Sequence, residues 1–207
     1  MNKCYIIAGG DFDGFFESVD DNDLMIAADR GYQHCLDYNL KPDLIIGDFD
    51  STSRPDIENV IKLNPIKDMT DTKAALLEAV KRDYKEIIIY GALGGRVSHT
   101  LANIRLALEF KKKGINVGLK SKDMRLIIVE DFLSYDMDKN EKDFYISIFS
   151  LTDQVEGLTI KGLFYELDDY KMTIDDSLGV SNETCGKDFT ISIDDGYILV
   201  VFEDKSI

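Results

Sequence analysis

Asp48 and Asp50 flank Phe49 one glycine after the apolar run Leu44-Ile45-Ile46, with Ser51 and Thr52 following. In extended backbone, alternate side chains share a side, so both carboxylates point the same way. Paired carboxylates repel, which favours a cation between them, and their hard oxygens suit Mg2+. The competing role is structural, one aspartate capping a following helix and the other solvated. A second polar cluster, Lys67-Asp68-Met69-Thr70-Asp71-Thr72, precedes a helical pattern. Asp68, Thr70 or Asp71 can cap that helix, or an acid from this cluster can complete a metal site. The run Gly91-Ala92-Leu93-Gly94-Gly95-Arg96 combines a glycine turn, exposed N–H groups, a helix start and a guanidinium. These are the parts of a polyphosphate cradle, although the spacing is neither that of a P-loop nor the dinucleotide fingerprint. An ordinary strand-to-helix turn is the alternative. His99, in the first turn of the next helix, suits a cap or packing role better than proton shuttling. Aspartates at strand ends plus a Gly/Arg loop suggest Mg2+-dependent chemistry on a nucleotide polyphosphate, where positioning and charge neutralisation do most of the catalysis.

These residues need a scaffold that gathers strand ends. Apolar runs predict strands over 3–8, 24–28, 43–46, 85–90, 116–120 and 125–129. Helical periodicity predicts helices over 31–38, 55–62, 71–84 and 99–113. Alternating strands and helices imply crossover units, hence an α/β doubly wound, mostly parallel sheet domain over residues 1–135. In such a sheet ligands bind at the carboxyl ends of the strands. Gly9-Gly10-Asp11 and Asp29-Arg30-Gly31 stand at such ends. From about residue 136 the rhythm turns to strands alone: FYISIFSL, LTIKGLFYEL, YKMTID, FTISID and YILVVF. That predicts an all-β antiparallel sandwich domain over residues 136–207.

The chain has 207 residues, with 24 Lys+Arg against 39 Asp+Glu and a formal net charge of −15. Residues 140–207 hold 5 Lys+Arg and 15 Asp+Glu, so the tail carries most of the excess. This balance argues against a nucleic-acid partner, whose phosphates need clustered cations. Cys4, Cys35 and Cys185 form no C-x-x-C and leave one unpaired, which fits a reducing compartment. No stretch approaches the ~20 apolar residues of a membrane span. A soluble, cytoplasmic protein is expected.

The segments AADRG, KPDLIIGDFDS, KDMTDTKAALLEA, GALGGRVSHTLAN and DDSLGVSNE occur in this order. Together they resemble the thiamine pyrophosphokinase family over nearly the whole chain. The resemblance implies pyrophosphoryl transfer from ATP to the hydroxyl of thiamine, giving thiamine diphosphate and AMP. It also implies a homodimer with thiamine near the subunit interface. By the same analogy Asp29, Asp48, Asp50 and Asp71 form the Mg2+/ATP site, with catalysis resting on Asp48, Asp50 and Asp71. Arg30, Asp68, Thr70 and His99 lie nearby, and Gly94, Gly95 and Arg96 lie against the nucleotide. Ser181 and Asn182 match the thiamine-side segment. An acidic protein attracts cationic thiamine.

Two residues depart from the family. Ser98 stands where many members have Asp, and it can still cap the helix. No Trp exists to stack on thiamine, which leaves Phe164, Tyr165 or Tyr170. Two rival functions share parts of the pattern. Asp48-Phe49-Asp50-Ser51-Thr52 formally matches the D-x-D-x-T of haloacid-dehalogenase-type phosphatases. A catalytically inactive thiamine or nucleotide sensor would keep the fold. A related pyrimidine alcohol or a pterin is an alternative substrate.

Overall fold

The apolar runs KCYII and LMIAA become β1 (Lys3–Ile7) and β2 (Leu24–Ala28), buried almost throughout. Strands so uniformly apolar are those of a parallel sheet covered on both faces, rather than of a sheet with one wet side. The structure is a computed structural model that describes residues 2–47, 60–62, 69–138 and 142–205. It divides into two units, Met1–Lys122 and Asp123–Ile207.

In unit 1, β1 and β2 are followed by α1 (Gly31–Asp37), β3 (Leu44–Gly47), β4 (Val60–Lys62) and α2 (Asp71–Lys81). Then come β5 (Glu86–Tyr90), α3 (Val97–Lys111) and β6 (Asn116–Lys120). The strand order is β6-β5-β1-β2-β3-β4, and every pairing is parallel. From β1 the chain adds strands outward to β4, then returns to place β5 on the other side of β1. The strand order reverses between β1 and β5, the position at which sheets of this kind bind ligands, beyond the carboxyl ends of the strands. One core cluster of this sheet gathers Tyr5, Ile7, Met25, Ala27, Ile45 and Tyr90 with Cys35 of α1.

Residues 60–62 correct part of the expected helix over 55–62. Val60 and Ile61 pair with Ile45 and Ile46 instead. Two β-branched residues fit a pleated edge, and so short a run carries no readable period. The helix expected over 71–84 ends at Lys81, where Asp83 takes a left-handed φ of 66°.

Unit 2 contains β7 (Met124–Val129), β8 (Phe132–Tyr135), β9 (Phe144–Ser150) and β10 (Gln154–Lys161). It continues with β11 (Leu167–Thr173), β12 (Asn182–Glu183), β13 (Phe189–Ser192) and β14 (Ile198–Asp204). Two antiparallel arrays result, β12-β9-β14-β7 and β11-β10-β13-β8. Their inward residues, among them Ile146, Ile148, Val200, Leu158, Phe189 and Ile191, form one core. Alternation in β9 and β13 sends every second side chain into it. Tyr135 stacks on Phe189 at 5.1 Å, with Phe144 and Phe202 alongside.

Candidate functional site

The segments that leave β1 and β5 are held together by backbone hydrogen bonds. Gly10 N–H donates to the Gly91 carbonyl at 3.0 Å, and Ala8 N–H to the Tyr90 carbonyl at 2.8 Å. A Cβ on Gly10 would collide with the Gly91 carbonyl, so this approach needs glycine. Beyond it Gly94 and Gly95 turn the chain at φ 78° and 58°, a left-handed path that other residues resist. Arg96 is the N-cap of α3 and makes no side-chain cap bond, and no acid lies in the first turn. The start of α3 therefore suits an anion. Two side chains of α3 hold the turn: Asn103 Nδ2 donates to the Ala92 carbonyl at 2.9 Å, and Thr100 Oγ1 to the Gly94 carbonyl at 3.4 Å. His99 is exposed and donates its backbone N–H to the Arg96 carbonyl at 2.8 Å. Ser98 is the second residue of the helix, so the cap expected there falls to Arg96 instead.

Asp11 was not among the expected site residues. Its carboxylate lies against the glycine turn: a Cβ on Gly94 would stand 2.7 Å from Asp11 Oδ2. Its sequence signal was only its place after Gly9-Gly10. The contact with Gly94 depends on the pairing of β1 with β5, which brings together segments far apart in the chain.

Asp29 ends β2 in a left-handed conformation, φ 52°, and its N–H donates to the Ile46 carbonyl at 2.8 Å. It thus sits beside the carboxyl end of β3, and Asp48 is the residue after that strand. Asp48, Asp50 and Asp68 lie outside the described residues. Arg30, exposed, is the N-cap of α1. Thr70 caps α2, its Oγ1 accepting from the Lys73 N–H at 3.2 Å, and Asp71 is the first helical residue. Among the described residues, no three carboxylate, imidazole or thiol groups converge as a metal site.

An open cleft of about 530 Å³ runs between α2 and α3, lined by Thr70, Lys73, Ser98, Leu101, Asn103 and Glu109 among others. Lys73 Nζ reaches Glu109 at 2.7 Å across it. Hydrogen bonds from Lys113 and Lys73 hold the Glu109 carboxyl below its usual range. The thiols of unit 1 are poor nucleophiles. Burial, reinforced by the charge of Asp43, pushes Cys4 up to about 12, and burial alone does the same to Cys35.

In unit 2, Ser181 is left-handed at φ 57°, and its N–H donates to Ser147 Oγ at 3.1 Å. Asn182 is buried, with its amide bonded to the Tyr165 backbone. Of the three aromatic candidates, Tyr170 commits its hydroxyl to Asp176 Oδ2 at 2.5 Å, whereas Phe164 and Tyr165 stand exposed.

Similarity to known proteins follows the same division. Residues 15–119 match the thiamin pyrophosphokinase catalytic domain, and residues 134–198 the thiamin pyrophosphokinase vitamin B1 binding domain. The thiamine pyrophosphokinase of Bacillus subtilis (strain 168) is 30% identical over 214 residues, covering 97% of this chain and 98% of that protein. A crystal structure of the Bacillus subtilis thiamine pyrophosphokinase matches with a TM-score of 0.89 at 27% identity, covering 99% of this chain and all of the other. A thiamin pyrophosphokinase family protein from Enterococcus faecalis matches at 0.83 and 30% identity, again covering 99% of this chain and all of the other. Neither the phosphatase nor the inactive sensor is favoured by these likenesses. With catalytic and vitamin-binding domains matched in order, one to each unit, the chain belongs to the thiamine pyrophosphokinase family.

Proposed function

We propose that this chain transfers a pyrophosphoryl group from ATP to the hydroxyl of thiamine, giving thiamine diphosphate and AMP. The observation that carries this reading is that each unit matches a different domain of the same enzyme family. The thiamine hydroxyl oxygen attacks the β-phosphorus of ATP. The bond from that phosphorus to the oxygen bridging to the α-phosphate breaks, and AMP leaves with the electron pair.

The donor set suits a hard divalent cation. Asp29 and Asp71 supply carboxylate oxygens, and Asp48 and Asp50 follow β3 in the chain. Of the thiols and imidazoles of unit 1, Cys4 and Cys35 are buried, His34 Nε2 is engaged 2.9 Å from the Gly10 carbonyl, and His99 is exposed at the start of α3. Asp29, Asp48, Asp50 and Asp71 would hold Mg2+, with Asp68 nearby. Bound there, Mg2+ would neutralise charge on the transferred group. The N–H groups of Gly94 and Gly95 and the Arg96 guanidinium bind phosphate oxygens at the start of α3. Arg30, Thr70 and His99 flank that site. One of Asp48, Asp50 and Asp71 orients the hydroxyl and accepts its proton. Ser181 and Asn182 belong to the thiamine side.

We read unit 1 as doubly wound, because strands alternate with helices along it and Cys35 of α1 packs with Tyr5 and Ile7 on one face of a sheet whose strands are buried on both. The assignment of residues 1–135 to catalysis and 136–207 to thiamine binding and dimerisation rests on the family likeness. So does the assignment of a cytoplasmic homodimer. No described helix is long and apolar enough to cross a membrane.

The deciding experiment is an assay with thiamine, ATP and Mg2+ that quantifies thiamine diphosphate, AMP and ADP. Equal amounts of AMP and thiamine diphosphate are expected. ADP with thiamine monophosphate would make it an ordinary kinase, and free phosphate alone would restore the phosphatase.

A further inference from the structure

Asp11 stands on backbone that is fixed on both sides. Gly10 before it commits both its polar groups: the N–H donates to the Gly91 carbonyl at 3.0 Å, and the carbonyl accepts from His34 Nε2 at 2.9 Å. Phe12 after it stacks on the His34 ring at 5.2 Å and meets Tyr38 edge to face at 4.9 Å. Phe12 also packs on the core cluster that holds Tyr5 and Tyr90. The Asp11 side chain between these anchors is exposed, and among the described residues its carboxylate has no hydrogen-bond or ion-pair partner. Other acids of the same segment are engaged. Asp13 Oδ2 accepts from the Lys122 N–H at 3.0 Å, and Glu17 Oε1 pairs with Lys120 at 2.6 Å.

What the Asp11 carboxylate faces is the glycine turn. A Cβ on Gly94 would stand 2.7 Å from Oδ2, and one on Gly95 3.4 Å from Oδ1, so both oxygens border the segment that opens α3. That segment is the phosphate cradle of the proposed function, where N–H groups and the Arg96 guanidinium attract anions. A pinned negative charge beside it opposes the attraction, and the penalty grows with the charge of the ligand. The magnesium complex of ATP is less negative than ATP by the two charges of the metal. The repulsion therefore falls hardest on the metal-free nucleotide, and a repulsive element of this kind is how a site rejects a close competitor.

We propose that Asp11 is a specificity-determining residue of the nucleotide site: its fixed charge at the glycine turn admits ATP as the magnesium complex and disfavours the metal-free form. The inference rests on ATP being the co-substrate, as proposed above.

Calorimetric titration of the full chain tests it, with ATP in EDTA and with ATP in excess Mg2+. The quantity read is the ratio of the two dissociation constants, metal-free over magnesium-bound. Because Asp11 is exposed and unbonded, its replacement leaves no partner orphaned. In Asp11→Asn the ratio should fall about five- to tenfold at low salt, chiefly because metal-free ATP binds more tightly. Asp11→Glu keeps the charge and should hold the ratio within about twofold of wild type. Asp13→Asn removes the same charge from a side chain turned to Lys122, and should also leave the ratio within about twofold. An unchanged ratio in Asp11→Asn would overturn the proposal. An equal fall in Asp13→Asn would do the same, by making the effect one of net charge. A ratio that falls because the magnesium complex binds more weakly would make Asp11 a ligand of the metal, and would also overturn it. Wild-type protein that binds ATP in neither form would instead remove the functional reading beneath it.

Discussion

The two units use their polar residues in opposite ways. In unit 1 the chemistry-bearing residues stand at the ends of parallel strands, held by backbone bonds such as Gly10 to Gly91 and Asp29 to Ile46. Their side chains remain directed away from the core: Arg96 and His99 are exposed, and Asp11 lies at the surface against Gly94. In unit 2 a polar residue from an equally short motif, Asn182, is buried and spends its amide on the backbone of a neighbouring turn. What reaches solvent there is apolar, Phe164 and Tyr165 together with Leu178 and Val180. The motif residues Arg96 and His99 in unit 1 face solvent, whereas Asn182 in unit 2 is turned inward to hold a neighbouring turn.

The strongest way to break that contrast is to remove the carboxylates proposed for the Mg2+ site of unit 1. Asp48→Asn and Asp71→Asn should each lower kcat by roughly 10²- to 10³-fold or more, with circular dichroism and thermal midpoint nearly unchanged. Wild-type rates in both variants would place the chemistry elsewhere. Unit 2 should answer differently to a core change. Phe189→Ala removes a ring stacked on Tyr135 and should cost about 3–5 kcal/mol of stability, visible in chemical denaturation. At temperatures where the variant is still folded, its KM for ATP should stay near the wild-type value. A raised KM for ATP would show that the phosphate site depends on the β unit's core.

The mildest test is alkaline pH, to which unit 1 should respond first. Burial raises the Cys4 and Cys35 thiols from the usual 9.0 to about 12, and burial with Glu17 raises Tyr5 from 10.0 to about 12. Groups whose folded pKa is raised favour the folded state fully below the unfolded value, and that favour is lost as pH rises toward the folded one. Stability should therefore decline between about pH 9 and pH 12. In unit 2 the Tyr170 hydroxyl, on a half-buried ring, is raised chiefly by its hydrogen bond to Asp176 rather than by burial. Hydrogen exchange at pH 10 should show unit 1 amides losing protection before those of unit 2, and the reverse order would contradict the assignment.

The central strands of unit 1 were readable from the sequence, because runs such as LMIAA are uniformly apolar. In unit 2 the expected run LTIKGLFYEL breaks at a turn between β10, ending at Lys161, and β11, starting at Leu167, and the short strands β8 and β12 were not expected at all. Val60 and Ile61 were not readable as a strand: a three-residue edge strand is shorter than any period that could identify it. The glycine turn and the helix cap at Thr70 were legible as local chemistry. Asp11 was hidden because its neighbour Gly94 is supplied by the pairing of two strands remote in sequence. The Asn182 clamp was hidden for the opposite reason. Asparagine in a polar turn reads as ligand-facing unless burial and both bonding partners are known.

The central place of β1 has a consequence for the protein's biosynthesis. One edge of this strand is met early, by β2, but its other neighbour is β5, where Lys3 aligns with Glu86. A ribosome adding about 5–20 residues per second leaves that second edge waiting for roughly 4 to 16 s after β1 has emerged. During that interval the nascent chain carries an apolar strand with an open row of hydrogen-bonding groups, the kind of edge to which other chains add. Unit 1 thus depends on its fifth strand to escape association during synthesis, and slow translation between residues 24 and 86 would extend the exposure.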